Sequence, residues 1–373
     1  MAKKKEVVVV EKSKFQTAID KLNKTYGRGT VLTLNAKAGN YDVISSGSLG
    51  FDYITLGIGG FARGKLYELM GWDGSGKSTV CAHAVAECQL AGGNAVYIDG
   101  EHAVDKIYFK ALGVNLDRLH LAQPSCGEEG FNIAMELIKT DEVDLIIIDS
   151  DSSLIPQKTL DGDIGDSAIG RKALLNSNAY PKLKTALAEH HVCVIVVSQY
   201  REKIGVMFGN PTTTQGGHAL KYYADCRIEI TKTLAKEGDV VYGSTTKLKT
   251  VKNKMSAPYR ICQFEIVFGK GIDKAGEIIN LADEYEIIHK WGKDTTYKEV
   301  KYPTDEFKSL IEDNDEFFED LKQSILEKIR NIEPLPVTEE EEEKEEELDP
   351  PVEEEVKLIV EPIPLKHETP ESY

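Results

Sequence analysis

Eight consecutive residues, Gly71-Trp72-Asp73-Gly74-Ser75-Gly76-Lys77-Ser78, follow the spacing G-x-x-x-x-G-K-[ST]. Glycines let a backbone curl so that successive N–H groups point at phosphate oxygens, and a helix starting there adds its partial positive charge. In such a P-loop Lys77 reaches the β- and γ-phosphates of ATP, the Ser78 hydroxyl binds Mg2+, and Thr79 leads into the helix. A ligand-free glycine turn has the same composition, but a strand pattern before the loop and a helix pattern after it favour phosphate.

Two acids complete the chemistry. Asp149 closes the run Leu145-Ile146-Ile147-Ile148, and an acid at a strand end beside a P-loop holds the magnesium; alone it would read as a helix cap. Glu101 follows the next strand pattern, in Tyr97-Ile-Asp-Gly-Glu-His102. A carboxylate there can deprotonate the attacking water, although spacing alone leaves open an exposed loop acid.

These groups need a scaffold that brings them to one edge. Lys65–Met70, Asn94–Asp99, Asp144–Asp149 and Val192–Gln199 are apolar runs of strand length, and helical patterns lie at 77–91, 128–139 and 171–189. Continuous aliphatic runs between helices are what buried parallel strands require. Segments 225–232, 245–254 and 262–268 alternate without long helices between them, which predicts an antiparallel extension. The reading is an α/β P-loop NTPase with a mostly parallel central sheet over 37–270.

Upstream, Phe15, Ala18, Ile19, Leu22 and Tyr26 recur at helical spacing over 13–26, and Val31–Leu34 reads as a short strand. One helix and one strand cannot bury their apolar faces alone, so the arm 1–36 must pack on the core or on a neighbouring subunit. Downstream, 271–332 forms a small α+β domain with helix faces at Phe307, Leu310 and Ile311 and at Phe317, Phe318, Leu321, Ile325 and Ile329. Residues 333–373 are dominated by Glu and Pro and are expected to be a disordered acidic tail.

The chain has 373 residues, 45 bases and 62 acids, a formal charge of −17. Residues 331–373 alone carry −13, which leaves −4 on the rest. That excludes a simple basic DNA coat but leaves room for a basic groove on a nearly neutral body. The six cysteines contain no CxxC pair, which argues against zinc and thioredoxin-type sites and for a reducing compartment. No signal-peptide pattern and no membrane-length apolar run occurs, so a cytoplasmic protein with no membrane partner is expected.

Longer stretches are more specific. Tyr97-Ile-Asp-Gly-Glu-His-Ala-Val-Asp105, Ile164-Gly-Asp-Ser167, Lys203-Ile-Gly-Val-Met-Phe-Gly-Asn-Pro211, Gly216-Gly-His-Ala-Leu-Lys-Tyr-Tyr223 and Val251-Lys-Asn-Lys254 resemble the bacterial RecA recombinase family, in order, from about residue 14 to 330. The resemblance implies a RecA-like fold and an ATP-dependent, helical homo-oligomeric filament on single-stranded DNA. That filament pairs with homologous duplex DNA and exchanges strands in DNA repair, with co-protease activity toward a self-cleaving damage-response (SOS) repressor. It implies Glu101 as catalytic base, Gln199 as γ-phosphate sensor, Asp105 and Tyr108 at the adenine, and Lys252 and Lys254 reaching the adjoining protomer's ATP. The arm would dock onto a neighbour.

It also implies two DNA-facing loops, about 161–170 and 200–214. Ile169 and Ile204 would wedge between base triplets, with Ser177, Gly205, Thr213, Gly216, Gly217 and His218 near phosphates. Backbone N–H groups and hydroxyls grip phosphates without reading sequence. The family usually has arginines after the first loop, where this chain has Leu174 and Pro181; Arg171, Lys172, Lys182 and Lys184 lie close by, and Arg201 and Lys203 flank the second loop. Ser198, Gln215 and Tyr222 are further departures. The alternatives are a RecA-like hexameric helicase or translocase, which leaves 203–211 unexplained, and a non-hydrolysing DNA filament scaffold, which intact Lys77, Glu101 and Asp149 oppose. A P-loop kinase is weaker, since nothing resembles an acceptor pocket.

Overall fold

A computed structural model describes residues 13–26, 31, 41–164, 170–202, 212–214 and 216–331. The expected strand 31–34 lies outside them except for Val31, as does the tail beyond Asn331. The first described elements are helix α1 (Lys14–Tyr26), short strands β1 (Val43–Ile44) and β2 (Phe61–Ala62), and then β3 (Leu66–Gly71), α2 (Lys77–Leu90) and β4 (Ala95–Asp99). It continues through α3 (Lys106–Ala111), β5 (Leu119–Ala122), α4 (Gly127–Ile138), β6 (Leu145–Asp149), α5 (Gln157–Leu160), α6 (Arg171–Glu189), β7 (Cys193–Glu202) and β8 (Thr212–Thr214). After α7 (Ala219–Tyr223) come β9 (Cys226–Glu237), β10 (Val240–Asn253), β11 (Ile261–Val267) and β12 (Gly271–Ile272). The last elements are α8 (Lys274–Glu284), β13 (Ile288–Trp291), β14 (Asp294–Tyr297), β15 (Val300–Pro303), α9 (Thr304–Asp313) and α10 (Asp315–Arg330).

The large sheet runs β12-β11-β10-β9-β3-β7-β6-β4-β5. The strands from β9 to β5 are parallel, and β10, β11 and β12 add antiparallel. Parallel strands are buried on both faces, which is why β6 and β7 read as unbroken aliphatic runs. Ile147 and Ile195 pack with Val80, Cys81, Ala84 and Val85 of α2 on one face. Ile146, Ile148, Val194 and Val196 pack with Phe131 of α4 and with Tyr180, Leu183 and Leu187 of α6 on the other. Truncating one of these isoleucines to alanine costs about 2–5 kcal/mol.

Gly271–Ile272 still pairs with β11, so the large sheet runs past residue 270. The C-terminal module has its own core, with Ile278, Phe307, Ile311, Leu321 and Ile325 buried together. Its three-stranded sheet β13-β14-β15 consists of four-residue strands, too short for a clear alternation in sequence. Leu49 joins this core from the main body. Helix α1 buries nothing: Phe15 is 75% and Tyr26 72% exposed. Asn23 is tied to Val31, its side chain donating to the Val31 carbonyl (3.0 Å) and accepting from the Val31 N–H (2.8 Å).

Candidate nucleotide site and DNA face

Strands β3, β7, β6 and β4 are neighbours and end at the same edge, the edge where open parallel sheets bind ligands. Gly71 pairs in register with Gln199, and Asp99 with Asp149. The expected residues therefore converge because their strands are adjacent, although Gly71 and Gln199 lie far apart in sequence. Gly76 opens α2 with φ +99°, and a Cβ there would sit 2.8 Å from Ile266 Cδ1. The left-handed φ is what calls for glycine.

Lys77 is buried, and its Nζ donates to the carbonyls of Gly71 (3.0 Å) and Trp72 (2.8 Å). Burial lowers its pKa, while Asp149, Asp73 and Glu101 pull it back up. Ser78 Oγ donates to Asp149 Oδ2 at 2.7 Å, and the Tyr97 hydroxyl donates to the same oxygen at 2.6 Å. Burial raises the Asp149 carboxyl, and the Tyr97 and Ser78 hydrogen bonds oppose that rise. One hydroxyl and one carboxylate fit Mg2+, a hard ion that takes oxygen ligands and shares them with substrate phosphates. Among the described residues no group of three or more His, Cys, Asp or Glu is placed to hold a metal ion, and this kind of site needs none.

Glu101 is exposed, and its Oε1 accepts from Ser150 Oγ (2.6 Å) and Gln199 Nε2 (2.7 Å). Asp105 caps α3, accepting from the N–H groups of Ile107 and Tyr108. The Tyr108 hydroxyl lies 3.0 Å from Thr79 Oγ1, which ties that helix to the end of the P-loop. Trp72 meets Tyr200 edge to face, ring centroids 6.0 Å apart.

Lys252 and Lys254 stand beside a second acid. Lys254 Nζ is 3.7 Å from Asp225 Oδ1, and Lys252 Nζ donates to the carbonyls of Lys221 (2.8 Å) and Tyr222 (3.0 Å) at the end of α7. Burial pushes Lys252 down to about 8, and the cations Lys254 and Arg227 add to the effect.

On the expected DNA face, Arg201 pairs with Thr213 and Tyr200 with Thr214 in the β7–β8 hairpin. Ser177, Lys182, Gly217 and His218 are exposed. Gly216 and Gly217 have φ of +92° and +79°, which glycine adopts without strain. Leu174 is 65% exposed. Arg171 Nη1 donates to the Lys158 carbonyl at 2.8 Å.

Lys172 corrects an expectation. Its Nζ donates inward to the Leu154 carbonyl (2.7 Å) and lies 3.6 Å from Asp151, so it does not face outward to a phosphate. Lys184 is likewise held in an ion pair with Asp225. Ile169, Lys203, Ile204 and Gly205 lie outside the described residues.

The RecA N-terminal domain family model matches residues 13–273. A protein named RecA from Porphyromonas gingivalis is 44% identical over 338 residues, 89% of this chain and 99% of its own length. The RecA protein of Cytophaga hutchinsonii is 44% identical over 320 residues, 84% of this chain and 90% of its own. That of Bacillus mycoides is 44% identical over 286 residues, covering 76% and 83%.

The chain belongs to the RecA family.

A RecA recombinase with a role in DNA repair follows from matches that span nearly the whole of these relatives. Around Asp149 and Glu101, sequence reasoning missed Tyr97 and Ser150. Tyr97 sits two residues before the end of its strand, where a side chain shares a face with Asp99 but reads simply as core. Ser150 directly follows Asp149, and that adjacency was the available signal.

Proposed function

We propose that the chain is a DNA-dependent ATPase that assembles as a helical filament on single-stranded DNA, pairs it with homologous duplex and exchanges strands. The observation that carries this reading is the pair of hydrogen bonds on Glu101 Oε1, from Ser150 and Gln199. They hold one carboxylate oxygen and leave Oε2 to take the proton from the attacking water. Lys77 neutralises charge on the transferring phosphoryl group, and the P-loop N–H groups hold the phosphates behind it. Ser78 and Asp149 would hold Mg2+, which, when bound, draws charge from the phosphate oxygens. Asp105 and Tyr108 serve the adenine, Gln199 senses the γ-phosphate, and Lys252 and Lys254 reach the ATP of the adjoining protomer.

Residues 1–36 act as the polymerisation arm, 37–270 with the paired Gly271–Ile272 as the ATPase core, the remainder to 332 as a small C-terminal domain and 333–373 as an acidic tail. Two features support the arm. Phe15, Leu22 and Tyr26 are exposed on α1 together with Lys14, Lys21 and Lys24. Strand β5 ends the large sheet, and beside it α4 presents Ile133 and Leu137 among Glu128, Glu129 and Glu136. A basic, apolar helix and an acid-rimmed apolar groove are complementary.

Arg171, Ser177, Arg201, Thr213, Gly216, Gly217 and His218 contact DNA together with Ile169, Lys203, Ile204 and Gly205. Work in the cytoplasm and stimulation of a self-cleaving repressor complete the proposal; among the described residues no helix is long and apolar enough to cross a membrane. Electron microscopy with single-stranded DNA and a slowly hydrolysed ATP analogue tests the reading. A helical filament is expected, and a closed ring would return the chain to the helicases.

A further inference from the structure

Three consecutive residues leave the end of β6, and each joins a different part of the molecule. Asp149 takes Ser78 and Tyr97, and Ser150 donates to Glu101. Asp151, only 1% exposed, accepts from the Tyr180 hydroxyl (2.5 Å) and from Asn176 Nδ2 (3.0 Å), with Lys172 Nζ at 3.6 Å. Lys172, Asn176 and Tyr180 are spaced four apart, so they stack along one face of α6.

Asn176 Nδ2 also donates to the Gly216 carbonyl at 3.1 Å. Gly216 is packed so closely that a Cβ would collide with Asn176 Nδ2 and come within 2.6 Å of Asp151 Oδ2. The chain enters α6 directly from 161–170 and reaches Gly216 directly from 200–214. Both anchor points therefore meet at one buried carboxylate, two residues from the acid that faces Ser78. Stability alone does not call for such a group, because an apolar cluster of similar volume does as well or better than a buried ion pair. The hub is bonded except at Asn176 Oδ1, which has no hydrogen-bond partner, and its directional bonds hold one geometry where apolar packing would not.

We propose that Asp151 is a positioning residue, which holds the anchors of both DNA loops in register with the strand that carries Asp149. In this role it sets how effectively bound DNA raises ATP turnover, by a route separate from Gln199. The inference rests on the reading of 161–170 and 200–214 as DNA-facing loops.

The test is ATP turnover of the full chain titrated with oligo(dT), for wild type, Asp151→Asn and Tyr180→Phe. In both variants the DNA concentration for half-maximal stimulation should rise on the order of tenfold, with the DNA-independent rate and the KM for ATP unchanged. A folded Tyr180→Phe protein with an unshifted DNA titration overturns the inference. So does an equal fall in DNA-independent and DNA-stimulated turnover, which is what a purely structural hub produces. If Asp151→Asn fails to fold, Tyr180→Phe, which removes one hydroxyl, decides alone. A wild type whose turnover ignores oligo(dT) sinks the recombinase reading itself and the inference with it, whereas a stimulated wild type with unshifted variants sinks only the inference.

Discussion

Gln199 Nε2 donates to Glu101 Oε1 at 2.7 Å, joining β7 to the loop after β4. The strand that bears Gln199 continues into the β7–β8 hairpin, where Arg201 faces Thr213. The acid proposed to activate water thus shares a hydrogen bond with the strand that leads to the proposed DNA loop. Arg201 lies two residues beyond Gln199 on the same strand.

Glu101→Gln keeps an acceptor for Gln199 and Ser150 but cannot take a proton. ATP-dependent filament assembly should persist while hydrolysis falls by about 10²-fold or more. Phosphate release measured alongside light scattering separates the two, and near-normal release would remove Glu101 from the role. Lys77→Ala should differ by losing nucleotide binding as well, since Lys77 is the only cation among residues 71–78.

Lys252→Ala should abolish DNA-stimulated hydrolysis while leaving nucleotide binding by the isolated monomer intact. The lost hydrogen bonds to the Lys221 and Tyr222 carbonyls are worth about 1 kcal/mol of stability, a small effect beside the loss of activity. Turnover that still rises cooperatively with DNA length in this variant would return Lys252 to a purely structural role at the end of α7.

Asp52 and Glu277 are buried together where residues 45–52 meet α8, and burial pushes both up to about 7. Ser48 Oγ and the N–H groups of Leu49 and Gly50 bond Glu277, and Ser45 Oγ and the Ser46 N–H bond Asp52. Both folded values lie above the unfolded ones of roughly 4, so the pair's contribution is full below about pH 4 and is lost as pH rises to about 7. Urea midpoints between pH 5 and 8 check this. Glu277→Gln, which cannot ionise, should lose stability relative to wild type at pH 5 and recover part of it by pH 8; a gap constant with pH would refute the assignment.

Residues 331–373 carry −13 against −4 for the remainder of the chain. A tethered polyanion competes with DNA phosphates for the same cations at high effective concentration, and salt or magnesium screens it over about 8 Å near physiological ionic strength. Removing 333–373 should tighten duplex binding and lower the magnesium needed for pairing, while ATP turnover survives. Duplex affinity measured against magnesium decides it, since superimposable curves for the two forms would leave the tail passive.

Local pattern was enough for the P-loop, for Asp149 at its strand end, and for α6, whose bounds of 171–189 match the structure. These features are legible because they are set by conformational needs of neighbouring residues: glycine at positive φ, aliphatic runs in buried strands, a 3.6-residue period in helices. Side-chain direction toward distant partners is a different kind of information. Lys172 read as a surface cation because lysines are usually exposed. Yet Lys172, Asn176, Tyr180, Leu183 and Leu187 form one stripe on α6, and all but Lys172 are fully buried. The stripe was visible in the sequence; which way it faced was not. Packing of α6 on β6 decided that, because it placed Asp151 beneath the helix and supplied a buried carboxylate toward which Lys172 turns.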